Sequence, residues 1–253
     1  MAAATKFKID VAFQGGLTAS QQAAFVAAAA RWERVVVKPL PAVKVNGIVT
    51  TGCRIEARGA VIDGGGGILG MAGPTRLRPN LSSMGKAAYL PCAGMMTFDT
   101  ADLVSMERDG TLVDVITHEM GHVLGIGTVW QRKGVLAGAG SLNPIFVGLA
   151  CRHEWHNIGG LGNDVPVENT GGGGTRDSHW RERQLRNELM TGWVSPAGTK
   201  NPLSAITIGS LADLGYDVDL SAADPFVVGA AMLASDEVLV PRRHCVMICG
   251  DDD

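Results

Sequence analysis

His118-Glu119-Met120-Gly121-His122 is the stretch of this sequence best suited to chemistry. Residues four apart share one face of a helix, so on a helix both imidazoles can reach a single ion. Neutral imidazole nitrogens suit zinc, which in catalytic sites takes three protein ligands and keeps a fourth position for water. Glu119, beside the first histidine, stands where a carboxylate could accept a proton from that water. Taken alone, the pentapeptide also fits a surface helix that carries two histidines by accident.

A third ligand has to come from elsewhere, and His153, His156, His179, His244 and the carboxylate of Glu154 are all available. Arg152 to His156 sits in poorly periodic sequence, where a histidine is ordinarily a surface residue. His179 lies in Ser178-His179-Trp180, shortly before Asn187-Glu188-Leu189-Met190-Thr191-Gly192. A methionine in a tight turn beneath the metal marks the metzincin proteases, although a lone methionine is equally a plain core residue.

The elements that must position these groups are partly legible. Lys6 to Phe13 alternates apolar and polar residues, the pattern of a half-buried strand. A helix is predicted from Thr18 to Val36, with Thr18 and Gln21 as a capping box and Phe25, Ala28, Ala29, Trp32 and Val36 as its apolar stripe. Val43 to Thr50, Cys53 to Ile62 and Ala88 to Phe98 read as strands; the glycine run Gly64 to Gly67 breaks the second, and Ile68 to Ala72 resumes it. The motif helix spans about Thr111 to Leu124, capped by Thr111 and Asp114 and stopped by Gly125. From Gly127 to Gly174 the chain reads as loops, and a last helix runs from Ser204 to Leu214. This order predicts an α+β fold: an N-terminal twisted sheet with helices (about 1–126), then a loop-rich C-terminal lobe (about 127–253), together one domain around a cleft.

Composition bounds the function. In 253 residues, 46% are hydrophobic and 19% charged, enough to bury a real core. A net charge of −3 argues against nucleic acid or an anionic membrane as partner. The longest apolar stretches, Ala23 to Ala30 and Phe226 to Ala234, fall short of the roughly 20 residues that span a bilayer. The first residues lack the apolar core of a secretory leader, so the expectation is an extracellular protein in mature form, its leader removed, or else a cytoplasmic one. Five cysteines leave at least one thiol unpaired.

At this point the sequence resembles the leishmanolysin-like metalloproteases, a branch of the metzincins. The resemblance rests on His118-Glu-Met-Gly-His122-Val-Leu-Gly125, Ser178-His179-Trp180, Asn187 to Gly192, Ser204 to Tyr216 and Met96-Thr97-Phe98-Asp99. Most metzincins place their third histidine six residues after the second, where this chain has Thr128; the leishmanolysin branch inserts a long segment first, which fits His179. The resemblance implies a zinc metalloendopeptidase with His118, His122 and His179 as ligands, Glu119 as base and Met190 as the Met-turn. It also implies a cleft rim near Ala93 to Phe98, with Gly94, Met95 and Met96 pairing with an extended substrate. Proteins or peptides are then the substrates, and a monomer is expected. A non-catalytic zinc-binding or adhesion protein of the same fold is the alternative.

Other features carry less. The glycine tracts Gly64 to Gly67 and Gly171 to Gly174 lack the Lys and Ser or Thr of a phosphate loop. Asn163, Asp164, Glu168, Asn169 and Asp177 could offer oxygens to Ca2+, but their spacing matches no fixed calcium loop and suits a solvated acidic loop. No tyrosine closely follows Met190. Arg243-His244-Cys245 offers a thiol that a C-terminal inhibitory tail could present to zinc.

Overall fold

A computed structural model of the chain describes residues 6–229, apart from Val194 and Pro196, together with the backbone of Val246 and Met247. The first alternating stretch becomes β1 (Ile9–Phe13). Next, α1 (Ala19–Val35) starts on the expected reciprocal cap: Gln21 N–H donates to Thr18 Oγ1, and Thr18 N–H donates to Gln21 Oε1. Its Phe25, Ala28, Ala29 and Trp32 are buried. Trp32 Nε1 donates to the Thr117 carbonyl at 2.9 Å, which fastens α1 to the histidine-bearing helix.

Val43 to Thr50 is a hairpin and not one strand. β2 (Val43–Val45) and β3 (Ile48–Thr50) are antiparallel. Asn46 and Gly47 take φ of 47° and 83°, the left-handed pair that a two-residue turn demands. β4 (Cys53–Ala60) then runs parallel to β1. β5 (Gly70–Leu77) does not resume β4; the chain reverses through the glycine run, and β5 pairs antiparallel with β6 (Pro91–Asp99).

This topology overturns the expected rim at Gly94, Met95 and Met96. β6 lies inside the sheet, paired with β4 on one side and β5 on the other. Its main-chain groups are already spent on those ladders, so no further strand can join it. Met96 is instead fully buried in the core, and a Cβ at Gly94 would stand 2.3 Å from Val123, so the glycine lets the histidine helix lie close against the sheet.

α2 (Thr100–Asp109), not expected from the sequence, begins where the carboxylate of Asp99 accepts the Ala101 N–H and ends at Gly110, φ 75°. It leads straight into α3 (Leu112–Val123), so Thr111 already has helical backbone and makes no side-chain cap. Asp114, expected as its partner, accepts from Asn201 Nδ2 at 2.8 Å.

The second half is less irregular than expected. β7 (Leu136–Ala137), β8 (Ile145–Phe146) and β9 (Val165–Pro166) form a small antiparallel sheet. α4 (Leu149–Asn157) occupies sequence read as loop. Short α5 (Glu182–Leu185) and then α6 (Ala205–Leu214) follow, the latter stopped by Gly215 at φ 116°. β10 (Val246–Met247) lies parallel along β5 and completes the sheet order β1-β4-β6-β5-β10. The mixed α+β class is as expected. One buried apolar cluster runs from Phe7 to Val228 and draws on both halves. Among the described residues no helix is long and apolar enough to cross a membrane, and Cys53, Cys92 and Cys151 are buried free thiols. The Arg243-His244-Cys245 tail lies outside the described residues.

Candidate metal centre

α3 presents His118 and His122 on successive turns, and His179 arrives from the far half of the chain. Their Nε2 atoms stand 3.0 Å (118 to 122), 3.1 Å (118 to 179) and 2.9 Å (122 to 179) apart. All three side chains are buried.

Each ring is aimed by a main-chain carbonyl. His118 Nδ1 donates to Leu189 O at 2.6 Å, His122 Nδ1 to Ile126 O at 2.9 Å and His179 Nδ1 to Thr175 O at 3.1 Å. A carbonyl only accepts, so each neutral ring carries its proton on Nδ1 and turns a bare Nε2 lone pair inward. Three lone pairs about 3 Å apart repel one another unless a cation sits among them. Three nitrogens at the usual zinc distance from one tetrahedral ion stand about 3.3 Å apart, so the donor set fits zinc. The rings are also kept neutral. Burial lowers the pKa of His118 to about 4 and of His179 to about 3, and that of His122 well below its ordinary value. The neighbouring rings push His122 and His179 the same way.

The local folding behind this is specific. α3 ends in a double hydrogen bond, Gly125 N to His122 O and Ile126 N to Gly121 O, with Gly125 at φ 111°. That turn brings Ile126 O back onto His122, and Thr128, too short to be a ligand, donates from Oγ1 to His122 O. Gly127 follows at φ 76°, where a Cβ would stand 2.1 Å from Ser178 O, so only glycine lets the segment bearing His179 come so near. The main chain at His179 and Trp180 is laced to two segments by isolated bridges: Glu168 N donates to His179 O, and Trp180 N to Met190 O.

Beneath the histidines, a Cβ on Gly121 would meet Met190 Sδ at 2.9 Å and Trp32 at 3.1 Å. Met190 therefore packs against the middle of the motif. Glu119 is wholly buried on α3 beside His118. The other candidates lie elsewhere: among the described residues His118, His122 and His179 are the one group placed to share a metal. His156 sits on α4 near Gly162 O, and His153 on the same helix is largely exposed. The suggested calcium oxygens are not gathered at one point. Asp164 pairs with Arg152, Asp177 accepts from Gly140 N, and Glu168 accepts from the main chain of Asn169, Thr170 and Glu182.

Sequence reasoning gave no role to Glu188 and offered Glu168 only as a calcium oxygen, whereas each is a carboxylate that gathers main-chain donors close to the site. Glu188 is buried; its Oε1 accepts from Ser204 N, Ser204 Oγ and Thr207 Oγ1, and its Oε2 from Met190 N at 2.6 Å. It thus ties the turn holding Leu189 and Met190 to the start of α6. Burial still raises its pKa, against the pull of those donors. The available signal was a carboxylate set among apolar residues, which folding must either expose or surround with donors.

A family model described as leishmanolysin, a peptidase family, matches residues 86–238. Leishmanolysin of Leishmania donovani is 30% identical over 145 residues, covering 53% of this chain and 24% of that protein. Leishmanolysin of Leishmania major is 28% identical over 145 residues, 53% of this chain and 23% of the relative. A leishmanolysin homolog of Crithidia fasciculata is 28% identical over 142 residues, 50% and 20%. The chain spans about a quarter of the length of these relatives. With the matched stretch covering more than half of its residues, and all three converging imidazoles within it, this chain belongs to the leishmanolysin family of zinc-dependent metalloproteases.

Proposed function

We propose that this chain is a zinc-dependent metalloendopeptidase that hydrolyses peptide bonds in proteins, with His118, His122 and His179 as ligands and Glu119 as general base. One observation supports the reading most: three buried imidazoles are each fixed by a carbonyl, with their bare nitrogens converging on one point. Bound zinc would supply Lewis acidity, polarising the scissile carbonyl and acidifying water. Glu119 takes a proton from the attacking water as its oxygen bonds to the carbonyl carbon. It then hands that proton to the amine as the carbon–nitrogen bond breaks. Leu189, Ile126 and Thr175 hold the rings, and a fixed ring orientation strengthens each ligand. Met190 serves as the Met-turn, an apolar floor under α3. The two halves of the chain act as lobes of one catalytic domain, because the ligands come from both.

Casein digestion, with and without a chelator and beside Glu119→Gln, tests this reading. Cleavage that needs zinc and falls by orders of magnitude in the variant is the expected result. Zinc retained by a protein that never cleaves would mark a binding module.

A further inference from the structure

The five-stranded sheet has β1 at one margin and, but for β10, β5 at the other. The sequence of β5 is that of an edge strand. Pro74 has no N–H to give, which suits the margin of a sheet, and the register against β6 slips just after it, between Pro74 and Arg76. Yet the margin is not open. β10 runs parallel along it, with Val246 beside Met71 and Met247 beside Ala72.

Under this margin lies the proposed general base. α3 packs beneath β5 and β6, with α1 on its other flank, toward β1. On α3, Gly121 faces Trp32 of α1, and Val123 lies close against Gly94 of the sheet. Residues two apart face nearly opposite ways on a helix, and residues four apart share a face. Glu119 therefore points away from α1, toward the flank where β5 and β10 lie. Glu119, His122 and His179 are wholly buried, and His118 nearly so. Hydrolysis needs a polypeptide at the point where these groups converge, so the site as it stands is shut.

Resting on the peptidase reading above, we propose that β10 is an autoinhibitory strand. The last strand of the chain occupies the outer margin of β5 and holds the site closed, and a polypeptide must displace it to be cut. Main-chain pairing at a sheet edge is a general way for an extended chain to dock, so β10 and an incoming chain compete for the same donors and acceptors. The hold is light enough to yield: two residues pair, in the parallel sense that is the weaker per residue.

The test compares zinc-loaded wild type with the full-length variant Val246→Pro/Met247→Pro. Alternate residues of a parallel ladder turn to the neighbouring strand, so replacing both removes whichever N–H crosses to β5. The variant should cleave casein about tenfold faster or more in kcat/KM, the factor that a couple of hydrogen bonds carry. The amides of Met71 and Ala72 should also exchange faster with deuterium. Equal, measurable cleavage by the two proteins, or unchanged exchange in β5, overturns the proposal and leaves the peptidase reading intact. So does activation by Cys245→Ser/Cys249→Ser with β5 still protected, since a thiol on the metal would then be what shuts the site. No cleavage by any of the three proteins removes the peptidase reading and the strand's inhibitory role together.

Discussion

The carbonyl oxygen of Leu189 lies 2.6 Å from Nδ1 of His118. Leu189 sits between Glu188, whose carboxylate anchors the turn to α6, and Met190, whose thioether packs against Gly121. One short turn from the C-terminal half thus aims the first histidine and floors the helix that carries it.

Breaking that anchor should loosen the metal. In Glu188→Gln an amide replaces one acceptor oxygen, so donors from Met190 N or from Ser204 and Thr207 lose their partner. A buried donor without a partner costs about 1–3 kcal/mol, and misplacing a ring's second-sphere partner costs about 10–100-fold in metal affinity. Chelator competition should show weaker zinc binding, and urea unfolding of the zinc-free protein a lower midpoint.

Gly121→Ala sets two effects against each other. Alanine is a better helix former by about 1 kcal/mol, but its Cβ would meet Met190 Sδ at 2.9 Å and Trp32 at 3.1 Å. Overpacking typically costs about 1–3 kcal/mol, so net destabilisation and lower activity are expected. The double variant Gly121→Ala/Met190→Ala should regain part of the zinc affinity; thermal melts and zinc titration check both.

Gly127→Ala should be worse, because the new Cβ would lie 2.1 Å from a main-chain oxygen and φ is 76°. Ser178 would be forced away and His179 with it. The expected result is a zinc affinity close to that of His179→Ala, while His153→Ala, altered on the exposed side of α4, keeps wild-type affinity.

Asp99 gives a pH prediction. Burial alone would raise its pKa, but N–H groups of Ile62, Ala101, Gly64 and Asp63 hold it below the ordinary value. A depressed folded pKa means stability that is present above the unfolded pKa and lost as pH falls through the folded one. Asp99→Asn keeps one acceptor oxygen but loses the charge and the other acceptor, so it should cost about 1–3 kcal/mol at neutral pH, as N–H groups left without an acceptor do. The gap from wild type should shrink below about pH 4, near the unfolded carboxylate value. Urea unfolding across that range measures it.

What could be read from sequence was whatever local chemistry decides. Thr18 and Gln21 cap α1 by themselves, Gly125 and Gly215 end α3 and α6 through their own φ, and His118 and His122 need only helical spacing. What could not be read depends on distant partners. α4 begins at Gly148 without a side-chain cap of its own; the carboxylate of Asp213 accepts from Ala150 N and Cys151 N instead, so no local signal marks the helix. The rim was misplaced because a strand's own pattern does not say whether it is central or at an edge, and β6 is central. Placing His179 needed the resemblance, since its approach depends on Gly127 against Ser178 and on a carbonyl of Thr175.

X-ray absorption at the zinc edge, on the purified protein loaded with one equivalent of metal, addresses the centre directly. Three imidazole nitrogens with one oxygen, falling to two nitrogens in His179→Ala, is the predicted shell. Sulfur at about 2.3 Å, a fourth imidazole, or a shell unaltered by loss of His179 would contradict it.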